Sequence, residues 1–121
     1  MNTTQNLKQY DLEQRTLEFA KNVRNFVGRL SKNSANFEDG KQLIRSSGSV
    51  GANYIEANES LGKKDFAMRI KICLKEAKES RYWLKLLDTQ QDLDLQKERV
   101  KLEKEADELL KIFAAILLKT Q

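Results

Sequence analysis

Histidine and proline are absent from this chain of 121 residues, and cysteine occurs once, as Cys73. Without histidine the commonest general base and the commonest metal ligand are missing. The hydroxyls of Ser46, Ser47 and Ser49 therefore have no imidazole to activate them. Nor can Glu56, Glu59, Glu76 and Glu79 complete the Glu-x-x-His pairs of a di-iron bundle. A lone cysteine excludes an internal disulfide and a zinc cluster within the chain. Its flanks, KICLKEA, read as a helix interior, so Cys73 is expected to be a packed thiol. No enzyme activity, metal or cofactor is expected. No apolar run approaches the roughly 20 residues of a membrane span, and the opening MNTTQNLKQYDLEQ has no apolar signal stretch, which makes a cytoplasmic location the expectation.

The lack of proline also argues against a loop-rich β design and favours long uninterrupted helices. Hydrophobic residues make up 40% and charged residues 33% of the chain, a balance that allows a buried core under a polar surface. Residues 1–10 are polar and expected to fray. From about Asp11, Leu12, Thr16, Phe19, Ala20, Val23, Phe26, Val27 and Leu30 recur every three or four residues, which predicts an amphipathic helix. Ser31–Asn36 reads as a turn. A third helix is predicted from Lys63 to about Gln90, with Phe66, Ile70, Cys73, Leu74, Ala77, Ser80, Leu84 and Leu87 inward. A fourth follows TQQDLD, with Leu95, Val100, Leu102, Ala106, Leu109, Leu110, Phe113, Ile116 and Leu117 as its apolar positions.

The stretch IRSSGSVGANYIEANES (Ile44–Ser60) poses the main question. It does not match GxxxxGK[ST], and no strand precedes it, so it is not a phosphate loop. Leu43, Ile44, Ser47, Val50, Gly51, Tyr54, Ile55 and Asn58 keep a continuous helical period through it, which predicts a second helix over 37–60. Asn36 is the expected N-cap and Gly62 the expected C-cap. Ser47 and Gly51 place small side chains where another helix can approach closely. Four amphipathic helices with short connections predict an all-α, antiparallel up-down-up-down four-helix bundle, one domain over residues 1–121.

The third helix carries a second pattern. Lys64, Lys71, Lys78 and Lys85 are spaced by seven and stack on one side, joined by Lys75 and flanked by Tyr82. Residues 63–88 hold eight Lys/Arg against four Asp/Glu, while residues 92–121 hold six against seven. The positive excess is therefore local, although the net charge is only +4. Such a row can contact phosphates, with Tyr82 or Trp83 as a stacking face. A merely solvated face is the competing reading. Met68, Ile72, Trp83 and Leu86 form a further apolar set, off the core stripe, that fits either an oligomer interface or a wider core contact within the bundle.

QLIRSSGSVGANYIEANES followed by KKDFAMRIKICLKEAKESRYWLKLL resembles the bacterial 23S rRNA intervening-sequence proteins, once labelled ribosomal proteins. The matching positions are Arg45, Ser46, Ser49, Asn53, Tyr54, Glu56 and Ala57, then Asp65, Phe66, Lys75, Glu76, Ala77, Glu79, Trp83 and Leu84. The resemblance implies an antiparallel four-helix protomer assembled as a ring-shaped homopentamer, with no catalytic set to carry over. A related branch is the accessory protein of diversity-generating retroelements. It implies RNA or DNA binding through basic surfaces and a reverse transcriptase or other nucleoprotein as partner. Other branches have a proline in the second-helix motif and end it in glycine, where this chain has Gly51 and Ala57. The leading expectation is a non-enzymatic homo-oligomeric bundle that binds nucleic acid through the third helix. The alternative is a protein-interaction scaffold with no nucleic-acid role.

Overall fold

Four helices carry the chain: α1 (Thr3–Arg29), α2 (Ser34–Asn58), α3 (Lys63–Leu86) and α4 (Leu93–Lys119). The structure is a computed structural model that describes the backbone of residues 3–120 and the side chains of residues 11–120. The expected fraying of residues 1–10 lies outside the described side chains. Helical backbone nonetheless runs from Thr3, ahead of the expected start at Asp11. Among the described residues there is no strand, and no helix is long and apolar enough to cross a membrane.

Cross-helix contacts fix the direction of each helix. Arg45 meets Glu76 and Glu79, Ser46 meets Ser80, and Asn53 meets Arg69. The α3 partners fall from 76–80 at Arg45 and Ser46 to 69 at Asn53, so α2 and α3 are antiparallel. Gly40 lies against Val27 and Gly51 against Thr16, which makes α1 and α2 antiparallel too. Arg81 pairs with Asp107 while Arg99 reaches the Leu87 carbonyl, giving the same relation for α3 and α4. The chain thus runs up, down, up, down.

The α1 stripe is buried almost as its spacing predicts, with Leu12, Thr16, Phe19, Ala20, Val23, Phe26 and Leu30 inside and Val27 half-buried. Leu12, Phe19, Val23, Phe26 and Leu30 meet Leu43, Val50, Ile70, Cys73, Ala77, Leu84, Leu102, Leu109 and Phe113 in one core. The Tyr54 and Phe113 rings lie tilted at 5.7 Å. Val100, expected inside, is exposed.

On α2 the buried face is rotated from the one expected. Ser46 and Ala57 are buried, Ile44 is half-buried and Ile55 is exposed. The cause is α3, which packs on α2 more extensively than α1 does and draws the inward face toward itself. Two glycines take α1. A Cβ on Gly51 would sit 2.9 Å from Thr16 Oγ1, and one on Gly40 would sit 2.9 Å from Val27 Cγ1. Gly51 is therefore the close-approach site its position suggests. Gly40 is a second one, and Gly48, with its nearest neighbour at 3.9 Å, is not.

Three ends differ from expectation. Asn33, not Asn36, caps α2, accepting from the Asn36 amide. Asn36 is buried instead, donating to the Ser31 and Asp88 carbonyls and accepting from the Asp88 amide. That clamp ends α3 early. The Asp88 N–H is bound by Asn36 and the Leu87 carbonyl by Arg99, so the backbone leaves the helix at Leu87 rather than Gln90. Gln90 and Gln91 then take left-handed backbone to turn the chain, and Asp92 caps α4. Gly62 is not a left-handed C-cap. Its backbone is extended and it stands at the N-cap of α3.

Candidate nucleic-acid interface

Every seventh residue of a helix returns to nearly the same side, 20° short of a full repeat. Lys64, Lys71, Lys78 and Lys85 therefore form a slowly drifting row, and Lys75 and Tyr82 fall within it. The row is about 31 Å long at 1.5 Å per residue. All six side chains are exposed, with Tyr82 59% accessible. The opposite side of α3, Ile70, Cys73, Ala77, Ser80 and Leu84, lies in the core. Among the described residues, no carboxylate stands within the 4.0 Å salt-bridge distance of any lysine in the row.

The arginines beside the row behave differently. Arg81 pairs with Asp107 of α4, and Arg69 donates to Asn53 Oδ1 of α2 at 3.0 Å. Arg45 of α2 forks across the seam, Nη1 to Glu76 Oε2 at 3.1 Å and Nη2 to Glu79 Oε2 at 2.9 Å. Glu76 is 4% accessible, so Arg45 supplies the positive charge that a buried carboxylate requires. Below this pair, Ser46 and Ser80 share a hydroxyl contact at 2.9 Å. The Asn53 side-chain nitrogen donates within its own helix, to the Ser49 carbonyl and hydroxyl. No buried side-chain nitrogen or oxygen among the described residues lacks a partner.

Cys73 lies in the same seam, wholly buried, its Sγ directed at the Val50 carbonyl. Burial pushes its thiol up to about 12, because the thiolate has no solvent to stabilise it. It is the packed, inert thiol its flanks predict. Burial likewise raises the Tyr54 hydroxyl. Across the α1/α4 groove, the hydrogen bond to Glu105 raises the Arg15 guanidinium, whose Nε and Nη2 each donate to one oxygen of that carboxylate.

The apolar set Met68, Ile72, Trp83 and Leu86 is divided along the helix. Met68 and Leu86 are about half exposed, Ile72 is partly buried, and Trp83 packs against the edge of the core. Lys75 and Glu79 stand between the two halves. Trp83 instead belongs with Tyr82, edge to face at 5.2 Å. Together with Gln42, Arg45, Lys78 and Glu79 they line a cleft of about 380 Å³ between α2 and α3. Sequence reasoning missed Gln42 and Arg45 as its lining. Both sit on the preceding helix, and only the register of α2 against α3 brings them there.

Residues 8–115 match the 23S rRNA-intervening sequence protein family. The chain belongs to that family. Its fold also matches the crystal structure of a protein of unknown function of the S23 ribosomal protein family from Bacteroides thetaiotaomicron VPI-5482, with a TM-score of 0.78 and 31% identity over 91% of this chain and 97% of the other. No protein of curated function matches. Set against the structure, the motif positions of this intervening-sequence protein divide by role. Arg45, Ser46, Asn53, Glu76 and Glu79 interlock α2 with α3, while Lys75 alone of the lysine row belongs to the motif.

Proposed function

We propose that this intervening-sequence protein is a non-enzymatic, homo-oligomeric, cytoplasmic bundle that binds RNA or DNA through the outward face of α3. The observation that carries the reading is the lysine row. Five exposed ammonium groups line one helix face without carboxylate partners among the described residues, and such a face attracts a phosphate backbone by releasing its counterions. Tyr82 within the row adds a stacking surface. The exposed Met68 and Leu86 support contact between copies, and the pentameric ring is the assembly that the family resemblance implies. A nucleoprotein such as a reverse transcriptase complex fits the same basic surface.

Salt titration tests the reading. Five lysine–phosphate contacts give a slope of log affinity against log salt of about −3.5 for a single strand and about −4.5 for a duplex, so binding weakens by about a hundredfold or more between roughly 50 and 200 mM salt. A flat profile removes the proposal and leaves the protein-interaction scaffold, which the exposed Met68 and Leu86 also favour. Mass measurement in solution tests the assembly: a multiple of the 14.0 kDa chain is expected, and a monomer overturns it.

A further inference from the structure

We propose that the cleft between α2 and α3 takes an unpaired nucleobase, so that the nucleic acid bound by this protein is single-stranded where it crosses Tyr82. The inference rests on the lysine-row reading and adds to it the form of the strand and a second contact. The cleft, about 380 Å³, is within the range of small-ligand sites, roughly 300–1,000 Å³. Two of its walls are aromatic, Tyr82 and Trp83, held edge to face, which leaves the exposed face of Tyr82 open to a planar ring.

Its polar lining favours a base over a phosphate. Arg45 is the only arginine there, and its positive charge is already balanced by Glu76 and Glu79, which take two of its five N–H donors. Glu79 itself lines the cleft. A phosphate entering would meet that carboxylate, whereas a base can donate its amino or imino hydrogen to it. Gln42 adds an amide with a donor and an acceptor.

Lys78 joins the two parts. It lines the cleft and also belongs to the row, so a phosphate held on Lys78 leaves its attached base beside Tyr82. A paired base cannot follow, because it is stacked inside the duplex and must be extruded at a cost of a few kcal/mol.

Trp83 is the only tryptophan and reports directly on the cleft. Its emission is read while the whole protein is titrated with a thymidine oligonucleotide, an abasic deoxyribose-phosphate strand of equal length, and a duplex of equal length. The thymidine strand is expected to change Trp83 emission and to bind about tenfold tighter than the abasic strand, the effect of one stacked base. The abasic strand and the duplex are expected to leave the emission unchanged. Tyr82→Ala, at an exposed position, removes the tenfold advantage without altering affinity for the abasic strand. Equal affinities for the thymidine and abasic strands overturn the base site while the lysine row stands. A duplex that shifts Trp83 emission as much as the thymidine strand also overturns it. Failure of all three to bind removes both readings.

Discussion

The two sides of α3 hold cations of different kinds, and the difference separates structure from surface. On the flanks that meet α2 and α4, Arg69 and Arg81 and the facing Arg45 each engage a named oxygen. On the outward side five lysines engage none among the described residues. Arginine's planar fork spans two carboxylates and stays charged at a half-dry seam, whereas lysine is a hydrated point charge on a flexible stem. The seam therefore specifies how two helices dock. The row contributes little to docking and keeps its charge exposed.

The sharpest way to break this contrast is chemical labelling. Burial and a thiol pushed up to about 12, from an ordinary 9.0, lower the thiolate fraction of Cys73 on the order of 10³-fold, so maleimide at neutral pH should modify it only when the chain opens. The row lysines should be acylated in the folded state. Rapid native labelling of Cys73 would show that the seam is open. The same shift has a pH sign. The folded chain holds the thiol proton more tightly than the unfolded chain, so this contribution to stability is complete below about pH 9 and is lost as pH rises toward about 12. Denaturant melts across that window check it, with Cys73→Ala as the variant whose decline is shallower.

Removing a seam cation comes next in size. Arg45→Ala leaves the Glu76 carboxylate buried without its partner and is expected to destabilise by about 1–3 kcal/mol, moderated because the Arg45 side chain is 53% accessible. Chemical denaturation measures this, and Lys75→Gln, one position before Glu76 but on the outer row, is expected to stay within about 0.5 kcal/mol. Equal losses for the two would erase the distinction between seam and row.

The glycines of α2 give a smaller pair with opposite signs. Gly51→Ala forces a Cβ against Thr16 at 2.9 Å and should cost about 1–2 kcal/mol through overpacking. Gly48→Ala meets nothing closer than 3.9 Å and should stabilise by about 0.4–1 kcal/mol, by restricting the unfolded chain. Thermal melts of the two variants decide it, and a shift in the same direction for both would contradict the packing described for α1 and α2.

What the sequence made legible follows from periodicity. Four helices, the α1 and α3 stripes and the lysine row are all set by positions within one helix, and spacing alone reveals them. The close approach at Gly51 was legible for the same reason, since it lies on an inward stripe beside Ser47. The contacts that periodicity cannot express are those made between helices. Asn36 has the composition of a cap and sits in a predicted turn, yet two of its side-chain hydrogen bonds are made 52 residues away, at Asp88. That distant clamp is why α3 stops at Leu86, although its helical pattern continues. Gly62 looks like a helix end from either side, and only its extended backbone assigns it to the start of α3. In the candidate site, Tyr82 and the lysines were found from α3 alone. Gln42 and Arg45 became part of it only through the α2/α3 register.

One double readout tests the central claim most directly: replacement of Lys64, Lys71, Lys75, Lys78 and Lys85 together by glutamine, followed by binding and unfolding measurements on the same sample. The account predicts at least about a hundredfold loss of affinity for single-stranded RNA or DNA at low salt, with stability within about 0.5 kcal/mol per site of the parent chain. Unchanged affinity, or a chain that no longer folds, would contradict it.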